Sequence, residues 1–391
     1  MSLLKSNVEF TSKISKSIFK SEDDVVFSPL SISTILTMCG KGAVGKTKEE
    51  LFKLLHIPII VLPGRFSSKT VHDEINDLLR ACSVNNCVDL NFGIFTQTKL
   101  LPLFVKFAEE KYLANVQKTS FENPGRKIIN SWVSKRTEGK INELIKEGTL
   151  NSFTNCVLIN TIFLKASWKF PFDKELTKER IFYGFDKKEY KVPMMTSKGM
   201  LFYSKHSLLN ANKQIIKVNS CSLELGGKRN TIRMVFILPK VKGKDAYKEV
   251  EEALFHKRNI DDCYNIFEDL SDLIGESDKT VVEELIIPKF KIESRFENLV
   301  NIFKDNGVTV PFSTGAEFPN VSKYGMIINK VIHQAVMSID ETGVEASAAT
   351  AITAIKGGGG PKLFICNRPF ICLLYDTCKK TLYFVARKIK F

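Results

Sequence analysis

The stretch Asp340-Glu341-Thr342-Gly343-Val344-Glu345-Ala346-Ser347-Ala348-Ala349-Thr350-Ala351 runs an acidic pair into a lone glycine and then into small or β-branched residues, without a proline. Small side chains let a backbone slide between neighbouring strands at little steric cost, and Val344, Thr350 and Ile352 favour the extended state. The segment therefore reads as one suited to entering a sheet. Ile355 and Lys356 then lead into Gly357-Gly358-Gly359-Gly360 and Pro361. Four glycines have no preferred backbone conformation, which predicts an exposed loop in which a protease can seat Lys356. The same residues also fit a surface linker beside an ordinary Ala/Thr edge strand.

If Val344 starts a strand, Val344, Ala346, Ala348, Thr350, Ile352 and Ala354 face one way, and Glu345, Ser347, Ala349, Ala351 and Thr353 the other. The first set is almost wholly apolar and the second carries the charge. From Val344 to Gly357 such a strand would extend about 45 Å at roughly 3.3 Å per residue.

The 391 residues are 44% hydrophobic and 26% charged, the composition of a folded chain with a sizeable core. No internal repeat and no Pro/Gly/Ser-rich linker divides it, so one large domain over 1–391 is expected. A net charge of +14 makes an anionic partner such as a polyanionic sugar worth testing. The denser groups, Lys187, Lys188 and Lys191, then Lys240, Lys242 and Lys244, then Lys379 and Lys380, are short and interrupted, which equally fits a solvated basic surface.

Met1 to Lys20 spaces Leu3, Leu4, Val8, Phe10, Ile14, Ile18 and Phe19 among lysines and serines, the pattern of an amphipathic helix rather than a signal peptide. The early apolar run Leu54 to Leu62 is broken by His56 and Pro58 and falls short of the ~20 residues of a membrane span. The expectation is a protein without a membrane segment, cytoplasmic or reaching the outside by a non-conventional route. The nine cysteines are odd in number and scattered, so reduced thiols are expected. No Cys-x-x-Cys pair accompanies the five histidines, and no metal or other cofactor is implied.

Gly40-Lys41-Gly42-Ala43-Val44-Gly45-Lys46-Thr47 matches the phosphate-binding pattern G-x-x-x-x-G-K-T and makes nucleotide binding a rival function. That chemistry needs a strand before the loop. Here Ser28-Pro29-Leu30-Ser31 reads as a helix cap with proline at the first helical position, and Leu30, Ile35, Leu36, Met38 and Cys39 continue a helix. Gly40 would end it and Thr47 would open the next, so a helix-turn-helix connection is preferred.

Taken in order, several segments resemble the serpin family along nearly the whole chain: Phe27-Ser28-Pro29-Leu30-Ser31-Ile32, Gly42-Ala43 through Thr47, and Asn160-Thr161-Ile162-Phe163-Leu164-Lys165-Ala166-Ser167-Trp168. Ile287-Pro288-Lys289-Phe290-Lys291-Ile292, His333-Gln334-Ala335-Val336, the hinge at 340–351 and Asn367-Arg368-Pro369-Phe370 complete the series. The resemblance implies an α+β fold of three β-sheets and about nine helices, metastable because an exposed reactive-centre loop (341–361) is held outside the largest sheet. It implies a monomeric inhibitor rather than an enzyme: a serine protease cuts the loop and is trapped as an acyl-enzyme while the freed strand inserts. In serpins as a class, release of the strain stored in the uninserted loop drives such a switch.

By the same resemblance the hinge comprises Glu341, Gly343, Val344, Glu345, Ala346, Ser347, Ala348, Ala349 and Thr350. The family's usual scissile bond follows the seventeenth residue from the hinge glutamate, which is Gly357; Lys356 is the sixteenth. Glycine gives a protease pocket almost nothing to bind, whereas lysine suits a trypsin-like pocket with a buried acid, so cleavage between Lys356 and Gly357 is favoured. Ser28, Ser31, Asn160 and His333 fall where the family has a polar cluster beneath the opening of its main sheet, and Trp168 near where the hinge enters. A catalytic Ser-His pair would lack an acid partner and a nucleophile elbow. Ala386 stands where the family commonly has glycine. The flexible glycines leave a non-inhibitory family member as the alternative within the fold.

Overall fold

β4 (Cys156–Leu164) reads Cys-Val-Leu-Ile-Asn-Thr-Ile-Phe-Leu and is buried along its whole length. A run that is apolar at every position but Asn160 and Thr161 marks a strand covered on both faces, and it lies at the centre of a five-stranded sheet. The computed structural model describes residues 3–58, 70–210, 212, 214–226, 231–255, 279–343 and 363–391.

In chain order the first half comprises α1 (Leu3–Ile18), β1 (Val25–Phe27), α2 (Pro29–Gly42), α3 (Gly45–Leu54), α4 (Val71–Asn85), β2 (Val88–Thr96), α5 (Pro102–Tyr112), β3 (Asn115–Lys118), α6 (Asn123–Arg136) and β4. There follow β5 (Lys178–Tyr183), β6 (Glu189–Leu209), β7 (Ile215–Glu224), β8 (Ile232–Pro239), α7 (Lys244–Phe255), β9 (Lys279–Pro288) and β10 (Phe290–Phe296). The chain closes with α8 (Val300–Asp305), β11 (Ile328–Ile339), β12 (Leu363–Ile365), β13 (Phe370–Asp376) and β14 (Thr381–Lys388). The described residues thus form eight α-helices, beside two short 3-10 turns, where the resemblance implies about nine helices.

The large sheet has the order β10-β11-β4-β2-β3. β10 with β11 and β4 with β2 are antiparallel, whereas β11 runs parallel to β4 from Ile328 beside Cys156 to Val336 beside Phe163. α6 covers one face through Ile129 and Val133, which share an apolar cluster with Val157, Ile159 and Ile332. Gly93 on β2 permits this approach: a Cβ there would stand 2.9 Å from the Trp132 ring. α2 lies against β4 on the other side, its N-terminus capped by the Ser28 hydroxyl, which accepts from Ser31 N.

The remaining nine strands form one hydrogen-bonded path that divides at β6 into two sheets. The first part of β6 pairs with β5 and β9, and β12 adds to β9. Phe202 to Leu209 of β6 instead pair with β7, which leads through β8, β13 and β14 to β1. Three sheets result. Ala386 of β14 is buried opposite Cys372 and Val26, so its methyl is absorbed by packing.

Candidate functional site

The parallel contact between β4 and β11 is a seam through the middle of the large sheet, and four polar side chains stand behind it. Register places His333 of β11 directly beside Asn160 of β4. The Asn160 side-chain oxygen accepts from the Ser31 hydroxyl at 2.8 Å and contacts His333 Nδ1 at 2.6 Å. Asn160 Nδ2 donates to the Ile332 carbonyl, so the asparagine ties both strands to α2. His333 Nε2 accepts the Ser28 amide at 3.1 Å, which leaves the ring proton on Nδ1, where Asn160 takes it.

All four residues are fully buried. Burial pushes the His333 pKa down to about 3, partly offset by its bond to Asn160, so the ring is neutral at ordinary pH. Phe296 of β10 stacks on the imidazole with centroids 5.9 Å apart. Because Nε2 is occupied by a backbone amide rather than a hydroxyl, the cluster is a closed hydrogen-bond network and not a nucleophile with its base.

At the upper end of the seam the chain leaves β11 and passes the segment after β4. The Trp168 indole donates to the Asp340 carbonyl at 2.7 Å, Trp168 N to Thr342 O, and Phe172 N to Glu341 O at 2.8 Å. Asp340 also accepts from the Thr342 amide and hydroxyl, fixing a tight turn. Gly343 then bridges Ser167 in antiparallel sense. Its φ is +93°, and a Cβ there would stand 2.5 Å from Ser167 Cα and 2.6 Å from Ala166 O, so glycine is required on both counts.

Glu341 is buried, with one carboxylate oxygen 2.8 Å from the Thr177 hydroxyl and the other 2.7 Å from Lys289 Nζ. Burial raises its pKa, but the Lys289 and Thr177 hydrogen bonds outweigh it and hold the carboxyl below its ordinary value. Sequence reasoning does not single out Lys289 or Thr177 as functional. They lie far from the hinge along the chain, and no local pattern marks them.

Of the residues expected at the site, Ser28, Ser31, Asn160 and His333 meet in one cluster, and Trp168, Glu341 and Gly343 in a second at the end of the same seam. Val344, Glu345, Ala346, Ser347, Ala348, Ala349 and Thr350 of the hinge, and the bond between Lys356 and Gly357, lie outside the described residues.

The phosphate-loop alternative fails on geometry. The helix before the motif runs to Gly42, two residues past the expected stop, and α3 begins at Gly45, so helix replaces the required strand. A Cβ on Gly40 or Gly42 would collide with Phe52 or Val321, and the Thr47 hydroxyl accepts the Glu317 amide at 2.9 Å. These residues pack a turn.

Known proteins share this architecture. Residues 5–390 match the family model described as serpin (serine protease inhibitor). Alpha-1-antichymotrypsin of Pongo abelii is 32% identical over 402 residues, which span 100% of this chain and 88% of the relative. The plasma serine protease inhibitor of Bos taurus is 30% identical, with 92% of this chain and 84% of the relative covered. Among solved structures, native protease nexin-1 with heparin superposes with a TM-score of 0.84 at 22% identity, covering 100% and 99% of the two chains. Human glycosylated kallistatin gives 0.81 at 25% identity, covering 99% and 98%. The chain therefore belongs to the serpin (serine protease inhibitor) family, and these named relatives are protease inhibitors rather than enzymes.

Proposed function

We propose that the chain is a suicide-type inhibitor of trypsin-like serine proteases, cut after Lys356 and trapping its target by inserting the freed segment between β4 and β11. The protease serine attacks the Lys356 carbonyl, the Gly357 amine leaves with a proton, and the ester that remains is carried away as the strand inserts. The observation that carries this reading is the parallel pairing of β4 with β11. A strand turning back at Gly343 would run antiparallel to both, exchanging one parallel ladder for two antiparallel ones, which are the more stable kind. Gly343 already makes the first antiparallel bridge to Ser167. At about 0.5 to 1.5 kcal/mol net per hydrogen bond, a new strand would release on the order of 10 kcal/mol before ordering costs.

The name of the antichymotrypsin relative points to chymotrypsin, whereas a lysine bait argues for a target with an acid at the base of its pocket. Incubation with trypsin should give an SDS-stable complex and a new N-terminus at Gly357 by mass spectrometry. Loop cleavage should also raise the melting temperature. Cleavage without either a complex or a gain in heat stability would overturn trapping in favour of a non-inhibitory member.

A polyanion is given no part in this mechanism. The solved protease nexin-1 neighbour carries heparin, but here Lys244 pairs with Glu22 at 2.6 Å and Lys188 with Asp186 at 3.8 Å, so an anionic chain would compete with the protein's own carboxylates. The protein is further proposed to be a monomer, cytoplasmic or reaching the outside by a non-conventional route; none of the eight described cysteines is in a disulfide, which fits a reducing compartment.

A further inference from the structure

We infer that the end of the β6–β7 hairpin and the loop from β8 to α7 form a docking surface for a membrane that carries acidic phospholipid. Leu209 and Ile215 stand opposite each other across the hairpin and are 47% and 65% exposed, while their neighbours Leu208 and Ile216 turn into the core. Val241, 67% exposed, reaches the same place. The Lys240 amide donates to the Lys217 carbonyl at 3.0 Å, and Ile215 and Val241 line one open cavity of about 660 Å³. A strand with one face in water would place polar residues at 209 and 215. Single exposed apolar side chains need no explanation, but three gathered at one hairpin end form a patch.

Lysines flank the patch. Lys205, Lys217, Lys240 and Lys242 are exposed, and none of them makes an ion pair with another described residue. Lys244 and Lys388, by contrast, are matched by Glu22 and Asp24. Two acids, Asp245 and Glu249, also line the cavity, and they leave positive charge in excess beside Lys217, Lys240 and Lys242. Lys242 Nζ lies 5.4 Å from the centre of the Tyr183 ring, which is 42% exposed. An aromatic ring beside an ammonium group suits the depth at which lipid headgroups lie.

Charge and apolarity together select the occupant. A soluble polyanion would be held by the lysines alone and would gain nothing from Leu209, Ile215 and Val241. An anionic bilayer takes both, because the lysines meet phosphate charge within a Debye length while the apolar side chains enter the boundary between headgroups and acyl chains. None of these residues lies on β4 or β11, so a docked molecule keeps its seam free. The inference therefore stands or falls independently of the trapping reading.

Co-sedimentation with lipid vesicles tests it. The unaltered protein should bind vesicles of phosphatidylcholine mixed with phosphatidylserine and not phosphatidylcholine alone, and added salt should weaken the binding. The double variant Lys217→Gln, Lys240→Gln should bind about 25-fold more weakly, since each lysine near an anionic surface is worth about fivefold. Ile215→Ser, Val241→Ser should bind about tenfold more weakly through loss of apolar burial. All four side chains are exposed, so the fold should persist in both variants. A control, Lys118→Gln, Lys135→Gln, alters exposed lysines elsewhere that also make no ion pair with a described residue, and should bind as the unaltered protein does. No binding to the phosphatidylserine vesicles overturns the docking surface. So does an equal loss in the control, which assigns binding to net charge. Undiminished binding by Ile215→Ser, Val241→Ser overturns the membrane as occupant and assigns the lysines to a soluble polyanion or an acidic protein.

Discussion

Lys289 Nζ lies 2.7 Å from the carboxylate of Glu341, and Lys289 is the single residue joining β9 to β10. Those strands belong to different sheets, so the ion pair pins the turn at the hinge to a junction between them. The Glu341 side chain is 5% exposed and that of Lys289 36%, so only the carboxylate depends on its partner for solvation. Glu341→Lys would set two ammonium groups against each other at a buried site. The expected cost is about 3 kcal/mol, because a buried charge loses its counter-charge. Differential scanning calorimetry of the intact protein should show the loss, and Glu341→Gln, which keeps a group able to bond to Thr177, should lose less.

Gly343→Ala tests the bridge to Ser167. A methyl there meets backbone at 2.5 Å and must also sit at a φ of +93°. The strain is on the order of 1 to 3 kcal/mol. Calorimetry should show a lower melting temperature, with the turn from Asp340 to Gly343 opening before the rest of the fold in hydrogen exchange. An unchanged melting temperature would mean that this bridge contributes nothing to closing the seam.

The acid limb of stability has a defined origin. His333, buried and neutral, has a folded pKa of about 3 against an ordinary 6.5. Between those values the unfolded chain binds more protons, so stability is fully present above pH 6.5 and is lost progressively as pH falls towards 3. From pH 6.5 to 5 the loss is on the order of 2 kcal/mol. Glu341, held below its ordinary value of 4.5, adds a second loss that begins only under that pH. Denaturant titrations at pH 7, 6 and 5 should show the slope, and His333→Gln should reduce it above pH 5 while lowering stability at pH 7, the remainder belonging to His72, whose pKa burial lowers to about 4.

The glycines at 40 and 42 are there for packing rather than for phosphate. Gly42→Ala should lower the melting temperature, since the methyl collides with Val321. Lys46→Ala, at an exposed position, should leave it within about 0.5 kcal/mol of the parent. Isothermal titration with ATP and magnesium should give no heat for either protein. Binding abolished by Lys46→Ala would reverse the assignment.

What is legible in the chain is local. Ser28 followed by Pro29 announces a helix start because a capping oxygen and a fixed φ act within one turn, and the spacing of Val8, Phe10, Ile14 and Ile18 announces α1. The phosphate-loop pattern is discounted on the same local grounds. The partners of the hinge are not legible. Glu341 reaches Thr177 across 164 residues and Trp168 reaches Asp340 across 172, and neither contact leaves a period or a spacing to read. The parallel pairing of β4 with β11 is equally hidden, because an apolar run declares that a strand is buried without naming its neighbour. Asn160 and His333 stand out only through the family resemblance, since a lone polar residue in an apolar strand reads equally well as a satisfied core group.

Insertion itself is tested most directly at the hinge, where Thr350 and Ala348 lie in the set of side chains that alternation assigns to a single face. Small residues there let a strand slide between β4 and β11, where one face of the sheet is packed with Ile162 and Ala335, both buried. Thr350→Arg or Ala348→Glu would carry a charge into that interior, at a cost of several kcal/mol unless it were paired. Association with the protease would be unaffected, because the bait residue is unchanged. The ester would then be hydrolysed before the slowed strand had inserted, and the inhibitor would become a substrate. Densitometry of SDS gels should show the covalent band replaced by cleaved inhibitor, with several molecules consumed for each protease trapped. An unchanged yield of complex would mean that the segment does not enter the sheet, and that the parallel seam between β4 and β11 is a permanent contact.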